Sequence, residues 1–427
     1  MNILMTGASG FIGSHLVAAL DREGYSLTLA VRDVRAAQQR WPWARVIHAD
    51  FSRDHDIAQW MERLTDIDVV INAVGIIAET RTQRFDALHR DAPCALFKAC
   101  ARVGIERVIQ ISALGADETA FSQYHLTKRA ADACLLAQNI NGTVLMPSIV
   151  YGPGANSMNL FRAMAALPLI PLIDQGRQSI QPIHVDDLVR VIIRLLQSSV
   201  LGDQRIELVG PQPMTLRELY GALRHWLGYG VPRFVSMPYR IALSIASVAG
   251  ALFSTPLNRA SMQMLQQGNT GDVRPLQYRF GFMPMSVQDA LDRTPALPAD
   301  RWFARLYFLL PLLRFSLALL WIFTGYISAC VYPLEQSYLL LNRTGVSDQL
   351  APLVLYAAAG LDVMLGLALL FRYRVITVAV LQIATIGMYT LIITLTMPEF
   401  WWHPFGPISK NIPLLMATLI MLATERR

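Results

Sequence analysis

The feature that most constrains the fold is a glycine-spaced turn near the start of the chain, Gly7-Ala8-Ser9-Gly10-Phe11-Ile12-Gly13. An apolar run (residues 3–6) precedes it, and an amphipathic stretch, Phe11–Arg22, follows. A strand that passes into a helix through such a turn leaves the first helical N–H groups open, and these with the helix dipole favour an anion. Gly7 permits the tight turn, Gly10 lets a diphosphate approach the backbone, and Gly13 lets helix and strand pack closely. Ser9, Phe11 and Ile12 complete the candidate phosphate-gripping segment.

Further apolar runs at 27–31, 45–48, 68–73, 107–112 and 143–150 read as strands, with helical patterns such as Ala92–Val103 between them. Strand and helix in alternation predict an α/β Rossmann fold, a doubly wound parallel sheet covered on both faces. Ligands of such sheets bind at the carboxyl ends of the strands. At the end of the second strand stands Val31-Arg32-Asp33. An acidic residue there bonds a ribose 2′-hydroxyl, whereas an Arg accommodates a 2′-phosphate. Arg32 therefore predicts NADP(H) in preference to NAD(H); the alternative is a surface Arg paired with Asp33. Asp50, after the third strand, is either an adenine acceptor or a turn residue.

Asn72-Ala73-Val74-Gly75 ends the fourth strand, and its small residues Ala73, Val74 and Gly75 are expected to form the floor of the cleft. Ser112 ends the fifth. Tyr124-His125-Leu126-Thr127-Lys128 follows, and residues four apart share a helix face. A Lys ammonium beside a Tyr hydroxyl favours phenolate, so Tyr124 is a candidate acid/base and Lys128 its partner. Ser112 is the nearest candidate hydroxyl.

These segments, with P-S-I-V-Y-G-P-G (147–154) and Q-P-I-H-V-D-D (181–187), resemble the extended short-chain dehydrogenase/reductase superfamily over roughly residues 1–298. Within it the chain is most similar to the atypical, epimerase-like branch that contains an accessory subunit of respiratory complex I. The resemblance implies Tyr124 as catalytic acid/base, and Lys128 as the residue that lowers its pKa and holds the nicotinamide ribose. Two positions depart from the pattern. Leu114 stands where many members carry a hydroxyl, and His89-Arg90-Asp91 replaces the usual Asn before the fifth strand. Asp91 reads equally as a helix cap. Arg177 is an anion contact or a surface ion-pair partner, and Asp186 and Asp187 read as helix-capping residues. Thr215-Leu216-Arg217-Glu218 reads as a capping box. The apolar residues 241–253 are too few for a span and predict a buried or interfacial helix.

The charge distribution splits the chain. Charged residues make up 16% of the 427, against ~25% in a soluble globular protein. They thin out after Arg305, where apolar segments at 308–331, 353–370, 375–397 and 405–424 predict four spans. The expected domains are 1–200 for nucleotide binding, 201–300 for a smaller substrate lobe, and 304–427 for an all-α membrane bundle. Arg301, Arg305, Arg372, Arg374, Arg426 and Arg427 lie on one side of these spans, against Arg343 and Lys410 on the other. The asymmetry predicts a multi-pass protein of the cell (inner) membrane, with its nucleotide domain and C-terminus cytoplasmic. Met1 leads directly into a strand, so no signal peptide is expected. Asp362 and Arg314 fall within spans, where a charge must face the bundle or a partner. The segment H-P-F-G-P-I-S-K-N-I-P-L-L (His403–Leu415) resembles the DoxX-like family of four-helix membrane proteins, some of which accompany quinone-linked oxidoreductases.

The net charge of +6 forms no basic stripe, so nucleic acid is not an expected partner, and four scattered cysteines predict no metal site. The expected function is a membrane-anchored NAD(P)H-dependent oxidoreductase acting on a small-molecule substrate of lipophilic or quinone-like kind. The alternative is a catalytically silent nucleotide-binding assembly or sensing module of a membrane respiratory complex.

Overall fold

A computed structural model describes residues 1–80, 82–198, 205–252 and 259–425. It divides into two compact units, Met1–Ala304 and Arg305–Arg427. In the first, β1 (Asn2–Thr6), β2 (Ser26–Val31), β3 (Arg45–His48), β4 (Val69–Asn72), β5 (Arg107–Ile111) and β6 (Asn141–Pro147) form a parallel sheet with a seventh strand, Arg205–Leu208. The spatial order is Arg205–Leu208, β6, β5, β4, β1, β2, β3. The order reverses between β1 and β4, the position at which such sheets form a ligand crevice at the carboxyl ends of the strands.

The intervening helices are α1 (Phe11–Arg22), α2 (Val34–Arg40), α3 (Ile57–Arg63), α4 (Ala92–Val103), α5 (Gln123–Leu136), α6 (Asn156–Ala165) and α7 (Val185–Gln197). Successive residues of a strand face opposite sides. Ile3 and Met5 of β1 join one core with Leu16 and Leu20 of α1 and Leu188 and Ile192 of α7. Leu4 joins the other core with Trp60 of α3, Phe97 of α4 and Leu135 of α5. The sheet is thus wound on both faces.

The seventh strand extends the sheet past residue 200. Its sequence Arg-Ile-Glu-Leu alternates, and only Ile206 and Leu208 are buried, as suits an edge strand. In the lobe, Ile170–Ile173 pairs with Phe234–Met237, and Thr215 and Glu218 form the expected capping box. Residues 241–252 lie within the helix Tyr239–Leu252, with Ala246 buried and Ile245 about half exposed; Phe253 lies outside the described residues. The cap of α7 is His184, whose Nδ1 accepts from Asp186 N at 3.3 Å. Asp187 instead turns inward and accepts from Met285 N at 2.7 Å.

In the second unit the number of spans differs from expectation. Among the described residues, three helices are long and apolar enough to cross a membrane: Pro298–Val331, Ala351–Leu370 and Val375–Thr396. The fourth apolar helix, Asn411–Thr424, has 14 residues. At ~1.5 Å per residue it rises only ~21 Å, less than the ~30 Å of a bilayer core. A turn through Gly406–Ser409 delays its start, and Asn411 Nδ2 donates to Thr390 Oγ1 at 2.9 Å. Asp362 is mid-helix and accepts from the Tyr389 hydroxyl of the following helix. Arg426 and Arg427 lie outside the described residues.

Candidate functional site

The turn after β1 is shaped by what its glycines exclude. Gly7 has φ +73°, and a Cβ there would stand 2.6 Å from the Ala73 carbonyl carbon, which is backbone and cannot step aside. A Cβ on Gly13 would overlap the Gly7 carbonyl oxygen. Gly10 N donates to Gly7 O at 3.0 Å, and Gly10 precedes α1 with no side chain over the helix end. Ser9 and Gly10 are exposed, while Phe11 and Ile12 are half-buried. An anionic diphosphate fits this cradle of backbone N–H groups.

On the rim, Arg32 is exposed at the end of β2. The Gln83 side-chain oxygen, in its satisfying amide orientation, accepts from the guanidinium. Asp33 is committed elsewhere, capping α2 by accepting from Ala36 N at 2.9 Å. Asp50 accepts from Ser52 Oγ at 2.7 Å and Ser52 N at 3.0 Å within its own turn. Burial opposes its ionisation, but the Ser52 hydrogen bonds with Arg32 and Arg53 outweigh it and hold the carboxyl below its usual range.

The floor is built from buried side chains. Ser122 caps α5 by accepting from His125 N at 3.2 Å, which fixes the helix start ahead of Tyr124. Lys128, 3% exposed, donates from Nζ to Ile111 O at 3.0 Å and to Val74 O at 3.1 Å. Its ammonium is therefore pinned between the ends of β4 and β5, beneath Gly75, where a Cβ would stand 3.1 Å from Nζ. An ammonium has three donors, so one remains. Burial lowers the Lys128 pKa to about 8, with Asp132 partly opposing.

Tyr124, half-buried, packs edge-on against Phe85, His89 and His125. Burial, with a smaller contribution from the Asp132 charge, raises its pKa to about 12. This is the opposite of the phenolate expected from the Tyr–Lys spacing: the ammonium is occupied by two backbone carbonyls, and desolvation dominates at the ring. Ser112, 4% exposed, donates its hydroxyl to Asp132 Oδ2 at 2.5 Å. Leu114 is also buried, its N–H donating to Pro147 O at 2.9 Å.

Two residues of this floor were given no role from sequence, although His89 stands in the His89-Arg90-Asp91 departure from the usual Asn. His89 enters from a turn of π-helix, Asp86–Asp91, that precedes α4. Its Nε2 accepts from Ile76 N at 3.0 Å, so Nδ1 carries the proton toward Thr127 Oγ1 at 3.2 Å. Burial and then the Lys128 charge lower its pKa to about 2, which keeps it neutral. Asp132 is fully buried one turn after Lys128, a spacing visible in the sequence as Tyr-x-x-x-Lys-x-x-x-Asp. In the lobe, Arg177 donates to Gln175 Oε1 at 2.6 Å and lines a cavity of about 420 Å³ with Asp174, Gln178, Gln267 and Thr270.

Residues 3–209 match the model of the NAD dependent epimerase/dehydratase family, and residues 318–419 that of the DoxX-like family. The chain is 28% identical over 239 residues to the ceramide reductase of Caulobacter vibrioides, covering 55% of this chain and 73% of that one. It is 30% identical over 254 residues to the mitochondrial NADH dehydrogenase (ubiquinone) 1 alpha subcomplex subunit 9 of Arabidopsis thaliana, covering 56% of this chain and 61% of the plant protein. Among solved structures, a nucleoside-diphosphate-sugar epimerase from Staphylococcus aureus superposes with TM-score 0.56 at 18% identity, over 68% of this chain and 99% of its own. The UDP-glucuronic acid 4-epimerase from Bacillus cereus, in complex with UDP-glucuronic acid and NAD, gives TM-score 0.53 at 18% identity, over 72% and 100%. At these identities the structures share the fold alone. The family and sequence likenesses support an NAD(P)-binding protein of oxidoreductase type, and the DoxX-like match together with the apolar helices supports a membrane protein.

Proposed function

We propose, from the premise that the chain joins an epimerase/dehydratase-type domain to a DoxX-like membrane domain, that it is a membrane-anchored NADPH-dependent reductase of a carbonyl group on a lipophilic substrate. The observation that carries this reading is the pair on one face of α5: a protonated Tyr124 one turn from an ammonium pinned at the edge of the sheet. The bound cofactor would supply the hydride. Tyr124, as a neutral phenol, gives its proton to the substrate oxygen as that oxygen gains charge. Lys128 turns its third N–H to the nicotinamide ribose. Ser112 is spent on Asp132, so its part is to hold the floor. Arg32 pairs with a 2′-phosphate, the charge-assisted contact that separates NADPH from NADH. The membrane unit and the likeness to a protein named for ceramide reduction support a substrate drawn from the bilayer.

A second reading is a nucleotide-binding assembly module of a membrane redox complex. Buried Leu114, in place of a hydroxyl, and the likeness to complex I subunits favour it. Purified full-length protein in lipid nanodiscs, offered NADPH and long-chain ketones, quinones or keto-lipids, separates the two. Turnover lost in Tyr124→Phe supports the reductase; bound nucleotide without turnover supports the module.

A further inference from the structure

Beneath the cleft the buried polar groups form a connected system that crosses three strands and a helix. Thr6 Oγ1 donates to Asn72 Oδ1 at 2.6 Å, and Asn72 Nδ2 donates to Gln110 Oε1 at 2.7 Å. The Gln110 amide faces the Asp132 carboxylate, which also receives the Ser112 hydroxyl. On the other side, Asn72 Oδ1 accepts from Val74 N at 3.3 Å, and Val74 O accepts from Lys128 Nζ. Thr6, Asn72, Gln110, Ser112, Lys128 and Asp132 are all at most 4% exposed. The system reaches Lys128 through the Val74 carbonyl, and Asp132 stands one helical turn beyond Lys128 with a charge that favours the ammonium.

The groups that face Lys128 make Asp132 distinctive. His89 on the π-turn is neutral, and Tyr124 on α5 is a phenol. Val74 and Ile111 present carbonyl dipoles from β4 and β5. Asp132 is, among the described residues, the carboxylate whose charge favours the ammonium. Asp132 in turn faces Lys128, Ser112, Gln110 and, from the edge strand, Arg205. A buried carboxylate is costly unless it is paired and hydrogen-bonded. Ser112 and the two cations offset part of that cost, yet burial still raises its pKa to about 6, leaving it ionised above that pH.

We propose that Asp132 is a positioning residue for nucleotide binding: anchored by Ser112, its charge keeps Lys128 an ammonium, so that the third N–H is available in the cleft. The inference rests on the reading of Lys128 as the ribose-holding residue. It does not depend on which substrate, or whether any substrate, is reduced.

The test is the dissociation constant of full-length protein in nanodiscs for NADPH, from pH 7 to 10, in wild type, Asp132→Asn and Asp132→Glu, with thermal melts to verify folding. Wild-type affinity should fall as pH rises through the Lys128 pKa. Removing an opposite charge a helical turn away should move that alkaline limb down by about one pH unit. The affinity ratio of wild type to Asp132→Asn then grows from about twofold at pH 7 toward about tenfold at pH 9, and Asp132→Glu restores most of it. If Asp132→Asn fails to fold, Ser112→Ala removes the bond that favours the ionised carboxylate and should move the limb the same way by less. A loss equal at every pH, or superimposed profiles, would overturn the proposal. Absence of turnover in a wild type that shows the limb would instead remove the reductase reading and leave this one standing.

Discussion

The phosphate turn and the floor beneath it serve one cleft by opposite means. The turn is made of backbone: Gly7, Gly10 and Gly13 matter for the side chains they lack, and what remains is a row of N–H groups at the start of α1. The floor is made of side chains, Lys128, His89, Asp132 and Ser112, each buried and each held by a named partner. Under the proposed function, the difference makes binding and chemistry separable. Backbone at the turn offers generic anion affinity, whereas the floor sets protonation states.

Substitutions should divide along that line. The largest effect belongs to Gly13→Val, which drives a branched side chain into the Gly7 carbonyl. NADPH affinity, read by fluorescence titration, should fall by more than about 100-fold, equivalent to ~2.8 kcal/mol. Tyr124→Phe should come next, lowering turnover by about 100-fold or more while the NADPH dissociation constant changes by less than about twofold. A matching loss of affinity would erase the distinction between turn and floor. Arg32→Ala on the rim should weaken NADPH by about tenfold and leave NADH unchanged; equal effects on both cofactors would remove Arg32 from 2′-phosphate recognition. The smallest change is expected for Asp362→Asn in the membrane unit, where an amide oxygen still accepts from Tyr389. Nucleotide affinity should be unaltered, and any larger shift would show that the second unit reaches the cleft energetically.

The same division explains what the sequence disclosed. A glycine that must avoid a carbonyl one turn away is a local requirement, so the turn, β1 and α1 were legible from spacing. So was the Tyr124–Lys128 pair, because both lie on one helix. The protonation of Tyr124 was not legible, since it depends on burial and on Lys128 bonding Val74 and Ile111, carbonyls from two distant strands. His89 was visible only as part of a departure from the usual Asn; its place in the floor was not legible, because a turn of π-helix shifts the register that ordinary helical spacing assumes. Asn72 and Gln110 meet only because β4 and β5 are neighbours in the sheet, a fact of strand order. Arg205–Leu208 was obscured because a four-residue edge strand carries little apolar signal. The fourth membrane segment forms an apolar helix as expected, but of 14 residues, shorter than the other three.

The central claim is that Tyr124 gives a proton to a substrate oxygen beside a bound nicotinamide. Its most direct measurement is substrate-dependent NADPH oxidation by full-length protein in nanodiscs, comparing wild type with Tyr124→Phe at matched nucleotide occupancy. The account predicts turnover in wild type and a loss of about 100-fold or more in the variant. Equal rates in the two proteins would contradict it.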